Sequence, residues 1–172
     1  IRFGDNDRLS ALVAHLLGAD LLILLTDTPG LLTADPRLDQ TASLIEEIVE
    51  VDHEIEALAG STGSGRGSGG MASKITAAKI AAWSGVRAVI ADARREGVMA
   101  GAVAGDAVGT VVQPREKRLA SRKLWIAFAV GSTGSLVVDA GARAALERGG
   151  VSLLPAGVVA AKGDFDTDDA VE

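Results

Sequence analysis

The chain has 172 residues, no cysteine and a formal net charge of −6; 48% of it is hydrophobic and only 3% aromatic. The absence of cysteine excludes a disulfide framework and a thiolate metal site, and no apolar run approaches the roughly 20 residues of a membrane span. An acidic balance argues against sequence-independent nucleic-acid binding by the chain as a whole, Ala, Leu, Val and Gly in place of aromatics favour an α/β fold with a parallel sheet, and the lack of cysteine and of a membrane-length run reads as a cytoplasmic home. Ile1 in place of Met, and an end in FDTDDAVE with no closing element, read as a fragment of a longer protein.

GDND opens a helix, with Asp5, Asn6 and Asp7 as cap residues and Leu9, Leu12, Val13 and Leu16 at helical spacing up to Gly18. LLILLT, Leu21 to Thr26, is a continuous apolar run of strand length and predicts a buried parallel strand. It ends at Thr26 and Asp27, where ligands gather in open α/β sheets. Pro29-Gly30 then predicts a turn and Leu31 to Thr33 a short return strand, a small hairpin stopped by Asp35-Pro36. The pattern IEEIVEV, within 44–51, fits strand or helix equally. Asp52 to Gly60 reads as a short capped helix, Val86 to Ala91 as a second buried strand, and a further helix starts near Glu96.

Between them lies GSGRGSGGMASK, Gly63 to Lys74. The glycines let a backbone approach something closely, and the amides of Ser68, Gly69, Gly70, Met71, Ala72 and Ser73 become available to an anion where the helix ITAAKIAAWSG begins. Lys74, one turn in, supplies a mobile point charge to the same anion. A Gly/Ser linker is the alternative reading, and the lysine within a compact helix ending at Gly85 argues against it. Neither a Walker A loop nor a dinucleotide fingerprint fits the spacing. Lys79 reads as solvent-facing, and Trp83 and Trp125 as packing residues. His15 and His53 lack partners at metal spacing, so no metal ligand is assigned.

Composition shifts near Pro114. REKRLASRK, Arg115 to Lys123, reads as a solvated, mobile basic connection, with RNA binding as the alternative use of the run. Beyond it, LWIAFAV, SLVVD and SLLPAGVVAAKGDF predict short strands around one helix, Ala140 to Arg148.

GDND at a helix start, TDTPGLLTADP after a buried strand and GSGGMASK opening a helix together resemble the amino acid kinase family, and within it the glutamate 5-kinases of proline biosynthesis. The resemblance spans essentially the whole chain, and RKLWI, VDAGARAAL and SLLPAGV resemble the PUA domain that follows the kinase domain in many members. It implies the C-terminal part of an αβα sandwich with a mainly parallel sheet over 1–113, a basic linker at 114–123 and a partial PUA-like domain over 124–172. The implied reaction transfers the γ-phosphoryl group of ATP, accompanied by Mg²⁺, to the side-chain carboxylate of glutamate. By carry-over from the family's motifs, Thr26, Asp27 and Ser68 to Lys74 contact ATP, Lys74 stabilises the transferring group, Asn6 contacts glutamate and Asp7 orients the catalytic lysines. The resemblance also implies a homo-oligomer and coupling to a γ-glutamyl phosphate reductase. Acetylglutamate and aspartate kinases are the alternatives, set aside because of the PUA-like end. The family's N-terminal half, with a second lysine and further glutamate contacts, is absent, so the fragment is expected to be inactive alone.

Overall fold

The computed structural model describes residues 6–61, 70–128, 132–167 and 169–172. They fold into two compact units, residues 1–124 and 125–172.

The first unit is built on a four-stranded sheet of order β1-β3-β4-β2, formed by β1 (Leu21–Thr26), β2 (Glu47–Ile48), β3 (Arg87–Asp92) and β4 (Gly109–Val112). β1 runs parallel to β3, and β2 parallel to β4; β3 and β4 are antiparallel. Alternate side chains of a strand point to opposite faces, and the sheet is covered on both. On one face Val89 and Ala91 of β3 pack with Val108 and with Val98 and Ala102 of α4 (Val98–Ala104), joined by Leu21, Ile23 and Val111. On the other face lie α1 (Asn6–Leu17), α2 (His53–Ser61) and α3 (Met71–Trp83), with α3 packed against both helices and the sheet.

α3 owes that central place to its small side chains. Ile75, Ala77, Ala78, Ile80, Ala81 and Ala82 are all buried, which lets neighbouring backbones come close. α1 meets it through Ala11, Leu12 and Ala14, while the other apolar positions that mark the helix in the sequence are more exposed, Leu9 39%, Val13 42% and Leu16 78%. α2 starts where expected, the Asp52 carboxylate accepting from the Ile55 amide at 2.9 Å.

Two backbone expectations for this unit are corrected, and one left open is decided. Leu31 to Thr33 is not a return strand on β1. Leu32 makes a single antiparallel bridge to Leu44, because the fully buried Leu31 gives its amide to Thr110 Oγ1 (2.8 Å), which in turn donates to the Ile45 carbonyl (2.7 Å). Gly30 is needed at this crossing: at φ 154°, a Cβ would stand 2.5 Å from Thr110 Oγ1. The ambiguous stretch before Asp52 contributes β2. The basic run is not a loose connection over its first half: the amides of Arg115 and Leu119 donate to Ala82 and Trp83 carbonyls at the end of α3, and the Arg115 guanidinium lies 3.8 Å over the Trp83 ring while pairing with Glu50 at 2.6 Å. The two amides bond to carbonyls of the last turn, and the cation lies at the helix's negative end.

LWIAFAV is also corrected, since Ser121–Phe128 forms a helix, α5, with Leu124 fully buried. A continuous apolar run does not by itself separate strand from helix. The second unit pairs β5 (Gly134–Val138) with β6 (Val158–Gly163) in an antiparallel ribbon, to which Val171 adds a parallel bridge at Gly134. Helix α6 (Ala140–Arg148) is capped by Asp139, whose side chain accepts from the Ala142 amide at 2.7 Å.

Thr110→Val in the full-length gene product should remove about 1–3 kcal/mol of stability, because it keeps the shape yet leaves the Leu31 amide and the Ile45 carbonyl without their buried partner. Urea unfolding measures this as a lower midpoint at unchanged slope, and Thr110→Ser should recover most of it.

Candidate functional site

Two helix N-termini meet on one edge of the first sheet. Each of α1 and α3 precedes a strand of the parallel pair and runs back against it, so its first turn lies at the edge where β1 and β3 end. That edge therefore collects Asn6 and Asp7 from α1, Gly70 to Lys74 from α3, and Thr26, Asp27 and Asp92 from the strand ends.

The first two groups touch. Lys74 Nζ lies 3.1 and 3.0 Å from the two Asp7 carboxylate oxygens, and Ser73 Oγ donates to Asp7 Oδ2 at 3.0 Å. Both charged side chains are mostly covered, 12% exposed for Lys74 and 15% for Asp7. An ammonium in the first turn of a helix opposes the helix dipole, whereas a carboxylate in the first turn is favoured by it. Asp7 thus supplies the negative charge that two positive helix ends and a lysine require. An anion brought to the same place, such as a phosphate, would meet the same field.

Gly70 precedes α3 in an extended conformation, φ −72° and ψ −172°, with no side-chain cap. A Cβ there would meet nothing within 4 Å, so the protein itself does not require glycine at this position. The amides of Ser73 and Lys74 bond to the Gly70 carbonyl, whereas those of Met71 and Ala72 have no acceptor among the described residues. These are the open donors with which a helix start binds anions. Ser68 and Gly69, and the rest of the glycine loop from Gly63, lie outside the described residues. Asn6 begins α1 with an exposed side chain.

Thr26 closes β1 opposite Asp92 of β3, and the Thr26 hydroxyl donates to the Asp27 carboxylate at 3.3 Å. Sequence reading passed over Arg94. Its guanidinium forks onto Asp92, Nε at 3.0 Å from Oδ1 and NH2 at 2.9 Å from Oδ2, and NH2 also donates to the Asp27 carbonyl. These bonds hold the Asp92 carboxyl below its ordinary range. The available signal was an Asp-x-Arg sequence at a strand end, which the strand pattern alone does not flag.

Lys79 is corrected from solvent-facing to paired, its Nζ 2.6 Å from Glu56 Oε1. It lines, with Trp83 and Arg115, a pocket of about 220 Å³ at the far end of α3 from Lys74. His15 exchanges a hydrogen bond with Ser121 Oγ at 3.0 Å, and His53 lies 3.6 Å from Glu56 Oε2. Among the described residues no three potential metal ligands cluster, and no helix is long and apolar enough to cross a membrane.

The sequence profile of the amino acid kinase family matches residues 1–92, and that of the PUA domain residues 134–172. Among curated proteins, glutamate 5-kinase of Moorella thermoacetica (strain ATCC 39073 / JCM 9320) is 50% identical over 166 residues, and that of Burkholderia mallei (strain SAVP1) 52% identical over 165. Each alignment takes in 96% of this chain, and the chain spans 44% of the relative's length. Among solved structures, carbamate kinase from Giardia lamblia bound to AMP-PNP superposes on 63% of the chain and 35% of its own, with a TM-score of 0.48 and 25% identity. With that family's profile matching more than half of the residues, the chain belongs to the amino acid kinase family.

Proposed function

We propose that this chain is the ATP-side portion of a glutamate 5-kinase, which transfers the γ-phosphoryl group of ATP to the side-chain carboxylate of glutamate. The observation that carries the reading is Lys74, held by Asp7 where two helix N-termini converge. Phosphoryl transfer asks little covalent help of a protein and much positioning and charge neutralisation. One glutamate carboxylate oxygen attacks the γ-phosphorus while the bond to the β,γ-bridging oxygen breaks, and ADP leaves with that electron pair. The nucleophile is already ionised at neutral pH, so the step needs no general base.

In this reading Gly70, Met71 and Ala72, together with Ser68 and Gly69, hold the ATP phosphates through backbone amides, Ser73, whose amide bonds to the Gly70 carbonyl, lies beside them, and Thr26 and Asp27 contact the nucleotide from the end of β1. Lys74 follows the charge that develops on the transferring group. Asp7 aims the ammonium, and Asn6 beside it contacts glutamate. Mg²⁺ would travel with ATP, held by phosphate oxygens and water in the octahedral shell it demands, and would neutralise phosphate charge there. The curated relatives are more than twice as long as this chain, so the remaining length is taken to complete the glutamate site. Residues 1–113 are assigned to the kinase domain, 114–123 to the connection and 124–172 to a partial PUA-like domain. A homo-oligomer, and delivery of the labile acyl phosphate to a downstream γ-glutamyl phosphate reductase, belong to the same proposal.

Trapping the product with hydroxylamine tests the reaction. The full-length gene product should form hydroxamate from glutamate with ATP and Mg²⁺, and far less from acetylglutamate or aspartate; the isolated 1–172 chain should form none. Lys74→Met should lower kcat on the order of 10²-fold or more, with a much smaller change in the KM for ATP. A near-normal kcat would sink the assignment.

Gly70→Ala separates ligand from fold. The backbone and the space around Gly70 tolerate a methyl group, so the melting temperature should hold while the KM for ATP rises; unchanged ATP affinity would remove the loop from the nucleotide site. Asn6→Ala should raise the glutamate KM and leave ATP affinity intact, whereas a purely capping role would cost about 1 kcal/mol of stability and spare both.

A further inference from the structure

We infer that Arg94 is a positioning residue for the nucleotide, locking the Thr26–Asp27 end of β1 onto the end of β3. The inference rests on the reading of that strand end as an ATP contact. It adds a residue that lies beyond the segment matching the family profile, which ends at Asp92.

The geometry is specific. β1 and β3 are in register up to Thr26 and Asp92, and the ladder is carried one step further by the Ala93 amide donating to the Thr26 carbonyl at 2.8 Å. Past that point the backbones no longer pair, and Asp27 would be held only from the strand side. Arg94 takes over there. Its own amide bonds to Asp92 Oδ1 at 2.9 Å, its Nε and NH2 fork onto the same carboxylate, and NH2 reaches across to the Asp27 carbonyl. Asp92 fixes the direction of the guanidinium, and the guanidinium fixes the peptide after Thr26.

Two contrasts mark this as more than surface decoration. An exposed Asp–Arg pair two residues apart, such as Asp35 and Arg37, closes on its own turn, whereas Arg94 adds a bond to a residue 67 positions away, just past the end of β1. The neighbouring Arg95 turns elsewhere, to the Ala107 carbonyl at 3.1 Å, and braces the segment between α4 and β4. Arg94 itself is 71% exposed, so it contributes little to burial, and its NH1 has no partner among the described residues. A mostly exposed side chain that spends its fork on holding two strand ends serves the precision of that edge more than the stability of the core.

The test measures ATP binding by calorimetry, and steady-state kinetics, in the full-length gene product. Arg94→Ala should raise the Kd and KM for ATP about tenfold, as misplacement of a positioning element does, while the glutamate KM and the melting temperature stay near wild type. Arg94→Lys keeps the charge but has a single compact head that cannot bridge a carboxylate and a carbonyl in one plane, so it should not restore affinity. Full rescue by lysine would mean that long-range attraction of the phosphates is the cause, and would overturn the inference. So would unchanged ATP affinity in Arg94→Ala, or equal loss of ATP and glutamate affinity with a lowered melting temperature. If the wild-type protein binds no ATP, the proposed function fails and this inference with it. If wild type binds and the variants bind equally, only the role of Arg94 falls.

Discussion

The interaction on which the site depends is the tie between Asp7 and Lys74. It joins the first turns of two helices whose positive ends would otherwise face one another with a lysine between them. At about a tenth exposed, the pair is too well covered to count as a surface salt bridge of negligible weight, and removing either partner alone would leave a poorly solvated charge. Ser73 adds a hydroxyl to the same carboxylate, so two consecutive side chains of α3 are aimed by one residue of α1. An ammonium oriented this way is preorganised, and a transferring phosphoryl group would meet it without reorganisation at the moment of reaction.

That tie is possible only because α1 and α3 come close along their length. Ala11 and Ala14 on one helix face a partner whose buried positions include Ala77, Ala78, Ala81 and Ala82. Small residues forgo some apolar area, and the fold recovers it through Ile75, Ile80 and the strand residues Val89 and Ile90, all nearly inaccessible. At the other end of α3 two backbone amides bond to its last carbonyls and the Arg115 guanidinium stacks on Trp83. The helix carrying Lys74 is therefore held at both ends and along its side, which a side chain that must be placed to within a fraction of an ångström requires.

Most of the frame was legible because it rests on local signals. Asp52 and Gly85 announce helix ends, and α6 spans the expected Ala140 to Arg148. LLILLT reads as a strand from its length, and it is one, but the expected burial is corrected: β1 is the end strand of the described sheet, with only Leu24 buried and Leu25 42% exposed. What the sequence hid depends on partners far along the chain. β4 is only GTVV, and Gly109 is there because a Cβ would stand 2.1 Å from the Ile90 carbonyl, a constraint visible only once β3 is alongside. Leu31 leaves β1 because Thr110, 79 residues later, takes its amide. Lys79 finds Glu56 on another helix, and Arg94 finds the Asp27 carbonyl just past the end of β1. In the candidate site, Asp7 and Lys74 are placed by a motif resemblance that the contact geometry fits, whereas Arg94 belongs to no motif.

Charge placement decides between the uses open to the C-terminal portion. RNA binding would need lysines and arginines free to neutralise phosphates along one face. The basic run gives up Arg115 to Glu50 and Trp83, and Arg118 lies against Gly85, so part of its charge is committed to closing α3. The second unit, from Trp125 onward, carries seven acidic residues against three basic ones, and one of those three, Arg143, is paired with Glu147 at 2.8 Å. A segment of that balance repels a polyanion more than it attracts one. A field favourable to an anion lies instead at the convergent starts of α1 and α3, where the Met71 and Ala72 amides and the Lys74 ammonium come together.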